Sequence, residues 1–313
     1  MKRIIAWLPT RVATPLRAIA WVYLVGQIVL VGTGGAVRLT SSGLGCPTWP
    51  KCTDASLVNT PEMGIHGVIE FGNRVLSALL AVVAVIAFLM VVRMYRSRRD
   101  LFWLALGAGL AIPAQAVLGG ISVLTGLNPY VVGLHFVVSI ALVAVCTAFL
   151  VRVYAVPGPR VRAVPGWFAG IAHLTSAFVA LTVLMGILTT GSGPHAGDSG
   201  AKRNGLNPEI LQHVHAVPAY VTFALTLVLV AGSFRLRTTP VHRYALWLLA
   251  VEVAQIAVGL IQANTGLPGI LVGIHMVLAA TLAAVMTAVV LALKAPVAAL
   301  EPSDATPAEA LRA

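Results

Sequence analysis

Five histidines of this chain, His66, His135, His213, His215 and His275, stand in the first turns of long apolar segments. Neutral imidazole is a common ligand for heme iron, and two imidazoles facing each other across a four-helix bundle can hold a flat macrocycle between them. An ionisable side chain inside a membrane helix is a functional candidate by default. The plainer reading is a set of histidines that bond to water at the interface. His213 and His215 lie about 200° apart on a helix of 3.6 residues per turn, so only one of them faces inward. A second constellation is His66, Glu70, Asn73 and Arg74, spaced i, i+4, i+7 and i+8, which forms a polar stripe on one helix face. Glu70 is either an acid–base group beside a heme edge or half of a neutralised pair with Arg74. Of the remaining histidines, His195 sits in a glycine-rich loop suited to turn chemistry or propionate contact. His173 and His242 read as structural.

The elements that must position these groups are membrane helices. With 58% hydrophobic and 10% charged residues and a mean hydropathy of +0.92, the chain is far from a soluble domain, in which about 25% of residues are charged. A helix needs roughly 20 apolar residues to cross a bilayer. Eight stretches qualify, at roughly 17–37, 66–92, 102–124, 131–154, 167–190, 210–233, 243–263 and 270–293. The fold class expected is therefore all-α integral membrane, with eight transmembrane helices.

Net charge is +11, and its placement speaks for lipid topology and against nucleic acid. Lys2, Arg3, Arg11 and Arg17 come before or open the first span. Arg93, Arg96, Arg98 and Arg99 follow the second, Arg152, Arg160 and Arg162 the fourth, and Arg235, Arg237 and Arg243 the sixth. The opposite loops hold Arg38, Lys51, Lys202 and Arg203. By the positive-inside rule both termini are cytoplasmic, in a multi-pass protein of the cell membrane. The opening 1–10 lacks a cleavage site, so the first span is expected to be retained. The acidic, proline-bearing tail at 296–313 reads as disordered.

An ungapped internal repeat organises the chain. Ala114-Gln115, Gly119, Thr125-Gly126-Leu127, Val132-Gly133 and His135 recur at Ala254-Gln255, Gly259, Thr265-Gly266-Leu267, Val272-Gly273 and His275, a constant offset of 275 − 135 = 140. Corresponding helices lie four apart, so the two halves share one orientation, as a parallel repeat of two four-helix bundles. The expected division is 1–160 for the N-terminal half and 161–295 for the C-terminal half. Cys46 and Cys52 share a short, proline-rich outer loop on the oxidising side, and a disulfide is the preferred reading. Cys146 reads as a small packing residue.

Taken together, Gly43-Leu44-Gly45-Cys46-Pro47-Thr48-Trp49-Pro50 with Cys52, Glu70-Phe71-Gly72-Asn73-Arg74, the Gln-x-x-x-Gly segments at Gln115 and Gln255, and Gly191-Ser192-Gly193-Pro194-His195-Ala196-Gly197-Asp198 resemble heme A synthase. The likeness runs to about residue 293. It implies an N-terminal half that binds and oxidises heme O and a C-terminal half that holds heme b. The C8 methyl would pass through two hydroxylations to a formyl group, for cytochrome oxidase biogenesis. Glu70 matches the family's catalytic glutamate, His135 and His275 match its ligands on helices 4 and 8, and Cys46 and Cys52 match its loop cysteines. The family's Gln-x-x-His fits Gln212 to His215, which favours His215 over His213. Where the family has a ligand three residues after the glutamate, this chain has Asn73. His66, about 10 Å along the helix, is the preferred substitute, and the other option is His135 as the one protein ligand to the substrate iron. Implied partners are heme O, an electron donor and the heme O synthase. The rival reading is a diheme b-type electron carrier, which leaves Glu70 without a role. A transporter would want its polar groups at the bilayer midplane.

Overall fold

In a computed structural model, which describes residues 8–236 and 240–297, eight long helices account for most of the described chain. They are α1 (Thr14–Leu39), α2 (Gly64–Val91), α3 (Arg99–Leu124), α4 (Pro129–Tyr154), α5 (Gly166–Ser192), α6 (Pro208–Ser233), α7 (Pro240–Asn264) and α8 (Gly269–Ala292). Every one is long and apolar enough to cross a membrane, and all sixteen ends fall within three residues of the spans expected from the sequence. At α4 and α6 the extra residues at the start come with side-chain caps. Asn128 accepts from the Tyr130 backbone N–H and Asn207 from those of Glu209 and Ile210, each with proline at the first helical position. These side chains satisfy orphan amides that hydropathy alone does not register.

The helices make two closed rings. α1 packs on α2 and α4, and α3 on α2 and α4; α5 packs on α6 and α8, and α7 on α6 and α8. The rings meet through α1 with α8, α4 with α8, and α4 with α5. Each ring has its own close-packed core. Leu16, Tyr23, Leu80, Leu101 and Phe149 belong to the first, and Phe168, Leu229, Leu248 and Met286 to the second. Both cores lie toward the end at which α1 begins. At the other end, here called the outer end, the helices carry the histidines and are less completely buried. Leu79, Val82, Leu110 and Trp247 are among many large apolar side chains on the outside of the rings, as a lipid-facing surface requires.

The repeat is visible in backbone conformation. Gly126 and Leu127 both have positive φ (61° and 59°), and so do Gly266 and Leu267 (77° and 58°). A left-handed leucine is disfavoured by about 1 kcal/mol or more, yet the same turn stands at both positions.

The structure adds one element that the sequence did not announce. A short antiparallel ribbon pairs Arg160–Arg162 with Lys294–Pro296, tying the segment after α4 to the segment after α8. It lies across the boundary placed between residues 160 and 161, and it takes Pro296 out of the segment expected to be disordered. Backbone bonds from Ala163 to Leu293 and from Val297 to Pro159 extend it. The remainder of the tail, together with Lys2, Arg3 and Arg237, lies outside the described residues.

Candidate functional site

In the first bundle the chemistry centres on Glu70, which α2 presents inward and which is 6% exposed. Its Oε2 accepts from the Cys46 backbone N–H at 2.7 Å, and its Oε1 receives Arg74 Nη2 at 2.6 Å and Nε at 3.2 Å. The same guanidinium donates to the carbonyls of Cys46, Thr48 and Lys51. The pair is thus more than an i, i+4 contact, because it fastens the first outer loop onto the helix. Both carboxylate oxygens are held in fixed directions by charge-assisted bonds.

That loop is closed by a Cys46–Cys52 disulfide, with Cα atoms 4.4 Å apart and both cysteines fully buried. Trp49 lies over Gly120 of α3, where a Cβ would stand 2.4 Å from the indole, and Gly45 meets the His66 carbonyl just as closely. A bridge across so short a loop restrains the unfolded chain by about 2 kcal/mol. Thiol labelling of the active protein without reductant is expected to leave Cys46 and Cys52 unmodified, with reduction required to expose them. Two reactive outer thiols in fully active protein would remove the bridge from the account.

His135, on α4, points at α3, with its ring against Gly119. Its Nδ1 is buried without a hydrogen-bond partner among the described residues, while its carbonyl accepts from Gln115 and Ser139. His66 is placed differently. It is exposed, bonds through Nδ1 to Ser42 Oγ at 2.9 Å, and lines an outer cavity of about 590 Å³ with Gly45, Met63 and Asp198. Asn73 accepts from Thr33 Oγ1 at 2.7 Å.

In the second bundle the structure brings two histidines opposite one another, with their ring planes steeply inclined. The rings of His215 on α6 and His275 on α8 have centroids 6.3 Å apart at 72°. Two imidazoles on opposite sides of one metal ion stand about 6 Å apart, from a metal–nitrogen bond of about 2 Å and about 1 Å from nitrogen to ring centre on each side. His215 Nδ1 lies 3.0 Å from the Thr182 carbonyl. Donation there leaves the Nε2 lone pair free, as when a backbone carbonyl orients a ligating histidine. The rings lie against Gly186 and Gly259, as His135 lies against Gly119, and Gln255 bonds the His275 carbonyl as Gln115 bonds that of His135. The buried His275 Nδ1 has no partner among the described residues. An iron porphyrin held through two imidazoles fits this pair. His213, two residues from His215, is exposed.

The outer loops of the two bundles are joined. Arg38 at the end of α1 donates to the carbonyls of His195 (2.5 Å) and Thr190 (2.7 Å), and the Gly43 N–H donates to the Gly197 carbonyl. Partial burial, with the cations Arg38 and Arg203 nearby, holds the His195 imidazole below its ordinary pKa, which favours its neutral form. His242 is bonded to Ser233 Oγ, a structural contact. Two functional candidates escaped the sequence analysis: Arg38, counted there only as a loop charge, and Glu252, a buried carboxylate in the middle of α7. A carboxylate halfway along an apolar span was the available signal for the second.

Comparison with known proteins adds an independent finding. A family model described as "Cytochrome oxidase assembly protein" (COX15-CtaA) matches residues 17–287. Proteins named "Heme A synthase" are similar over shorter stretches. That of Geobacillus kaustophilus is 32% identical over 107 residues, 34% of this chain and 33% of the relative. That of Halalkalibacterium halodurans is 31% identical over 116 residues, 37% of this chain and 38% of the relative, and that of Listeria monocytogenes is 32% identical over 124 residues, 39% of each. The chain spans about a third of the length of the curated relatives it matches.

Proposed function

The chain belongs to the COX15-CtaA family of cytochrome oxidase assembly proteins, and on that premise we propose that it is a membrane oxidoreductase that converts heme O to heme A. The observation that carries the reading is the asymmetry of the two bundles. One holds facing histidines, His215 and His275, 6.3 Å apart. The other holds a buried carboxylate, Glu70, clamped beneath a disulfide-closed loop. A permanent heme b between His215 and His275 would supply electron transfer, and heme O in the first bundle would be the substrate whose C8 methyl is oxidised to a formyl group.

The protein's own groups do the rest. His135 would hold the substrate iron, and its buried Nδ1, without a partner among the described residues, is an atom that demands a partner in a loaded site. Contact between Asn73 and Thr33, and the outward placement of His66, favour His135 as the main protein ligand there. His66 then serves the outer cavity. Glu70 offers two oriented oxygens: Oε1 is neutralised by Arg74, and Oε2 holds the Cys46 N–H. Methyl oxidation releases protons and develops positive charge, and a carboxylate in a water-poor site serves both needs. The loop over Glu70 keeps water out. Both termini are assigned to the cytoplasm and the histidine-bearing end to the outer side of the cell membrane. The substrate half is 1–160 and the heme b half 161–295. A one-electron donor and the heme O synthase are the partners such a role needs.

Expression in a host that makes heme O but no heme A tests the proposal. Heme A or its hydroxylated precursor is expected among the membrane pigments, and heme b alone would point instead to a diheme electron carrier.

A further inference from the structure

Glu252 is the one carboxylate within the spans of α5 to α8 away from a helix end, and nothing in the proposed function uses it. It lies 252 − 240 = 12 residues from the start of α7 and 264 − 252 = 12 from its end, about 18 Å from either end of the helix at 1.5 Å per residue. It is 4% exposed. Its Oε1 accepts from Thr226 Oγ1 at 2.9 Å, and Oε2 has no partner among the described residues. Among the described residues no cation pairs with it, in contrast to Glu70.

A packing role does not explain it. The ungapped repeat puts 252 − 140 = 112 opposite it, and residue 112 is Ile112, also buried. One copy of this bundle is therefore built with a hydrocarbon side chain where the other has a carboxyl group. Thr226 is unusual as well. Its neighbours Thr175, Thr182 and Thr222 return their hydroxyls to the carbonyl four residues back, the common habit of threonine in membrane helices, whereas Thr226 gives its proton to Glu252.

Position supplies the function. Gln255, one turn nearer the outer end of α7, bonds the His275 carbonyl, so Glu252 lies about one turn below the His215–His275 level. On α6 the buried face carries Thr222, Thr226 and Ser233 in line, and Ser233 meets the half-buried His242 at the inner end. Of the helices packed against α7, α6 gives it the neutral Thr226 hydroxyl, and neither α6 nor α8 carries a lysine or arginine within its span. Titratable groups elsewhere in the bundle include His215 above on α6, His275 above on α8, the exposed His173 on α5, and His242, Arg243 and Arg235 at the inner end.

We propose that Glu252 is the proton-accepting group of the second bundle, protonated when the metal held between His215 and His275 gains an electron. The inference rests on the reading of that pair as a heme site. A one-electron donor reduces the iron, and one proton, taken from the inner side along the Thr226, Ser233 and His242 face, converts the Glu252 carboxylate to the acid. The bundle's net charge is unchanged, which avoids the cost of an uncompensated charge in a low-dielectric interior.

Redox titration of the purified holoprotein across neutral pH tests it. The electron affinity of the low-spin heme is expected to fall with rising pH, approaching tenfold per unit, or 59 mV for a one-electron couple. In Glu252→Gln that slope flattens while the oxidised spectrum is unchanged. Infrared difference spectra between redox states should show a carboxyl carbonyl band that disappears in Glu252→Gln and shifts in Thr226→Val, a milder variant that keeps the acid. A wild-type potential independent of pH, a slope that survives in Glu252→Gln, or a wild-type spectrum without a carboxyl band overturns the proposal. Absence of any low-spin heme in the wild type overturns the His215–His275 reading itself.

Discussion

Glu70→Gln is expected to fold, to keep the low-spin heme b spectrum of the second bundle, and to accumulate heme O or the mono-hydroxylated heme in place of heme A. The amide keeps the side chain's size and one acceptor for the Cys46 N–H, but loses the charge and the ability to take a proton. General acid–base groups typically contribute about 10² to 10⁴-fold in rate, so heme A formation should drop by at least about a hundredfold. The variant also leaves Arg74 without its countercharge. Arg74 keeps three loop carbonyls as acceptors, and for that reason the loop is expected to stay in place. Pigment analysis beside an absorption spectrum reads both halves of the claim. Heme A formed at the normal rate would return Glu70 to a purely structural role, as the clamp between Arg74 and the disulfide loop.

His275→Ala is expected to abolish nearly all of the low-spin heme b signal, because only one of the two imidazoles that would hold the heme remains. His215→Ala should do the same. His213→Ala should change little, since that ring is exposed on the other side of α6. The comparison among the three variants separates ligation from general damage, as all remove an imidazole from the outer end of the second bundle. An unchanged spectrum in His275→Ala would show that the facing pair is not the heme site.

The eight spans were legible because bilayer crossing demands long apolar runs, and those runs set the helix positions within a few residues. The doubled Gln, Gly and His pattern at an offset of 140 was legible for the same kind of reason, and the structure repeats its local contacts, from Gln115 and Gln255 to the left-handed Leu127 and Leu267. Of the two adjacent histidines, periodicity showed only that one faces inward, and the Gln-x-x-His likeness favoured His215. The structure sets that residue opposite His275. What stayed hidden depended on contacts between distant segments. The Arg160–Arg162 ribbon is too short and too charged to carry a period of its own. Nothing local in Arg38 announces that its guanidinium ends on the carbonyls of Thr190 and His195 across the bundle interface. His66 shared the depth of the other histidines by residue count. The cap geometry before α2 and its bond to Ser42 leave it facing the outer cavity, a result of loop packing that helical spacing cannot reveal. Glu252 stands out in a hydrophobic run, but that its partner among the described residues is a threonine hydroxyl and not a cation depends on how α6 packs against α7.

Mass analysis of the pigments bound to the purified protein, isolated from cells that supply heme O, tests the central claim most directly. Two pigments are expected in one molecule: heme b, and a derivative of heme O carrying a hydroxyl or formyl group at the C8 methyl position. Heme b alone, or heme O that leaves the protein unaltered, would contradict the account.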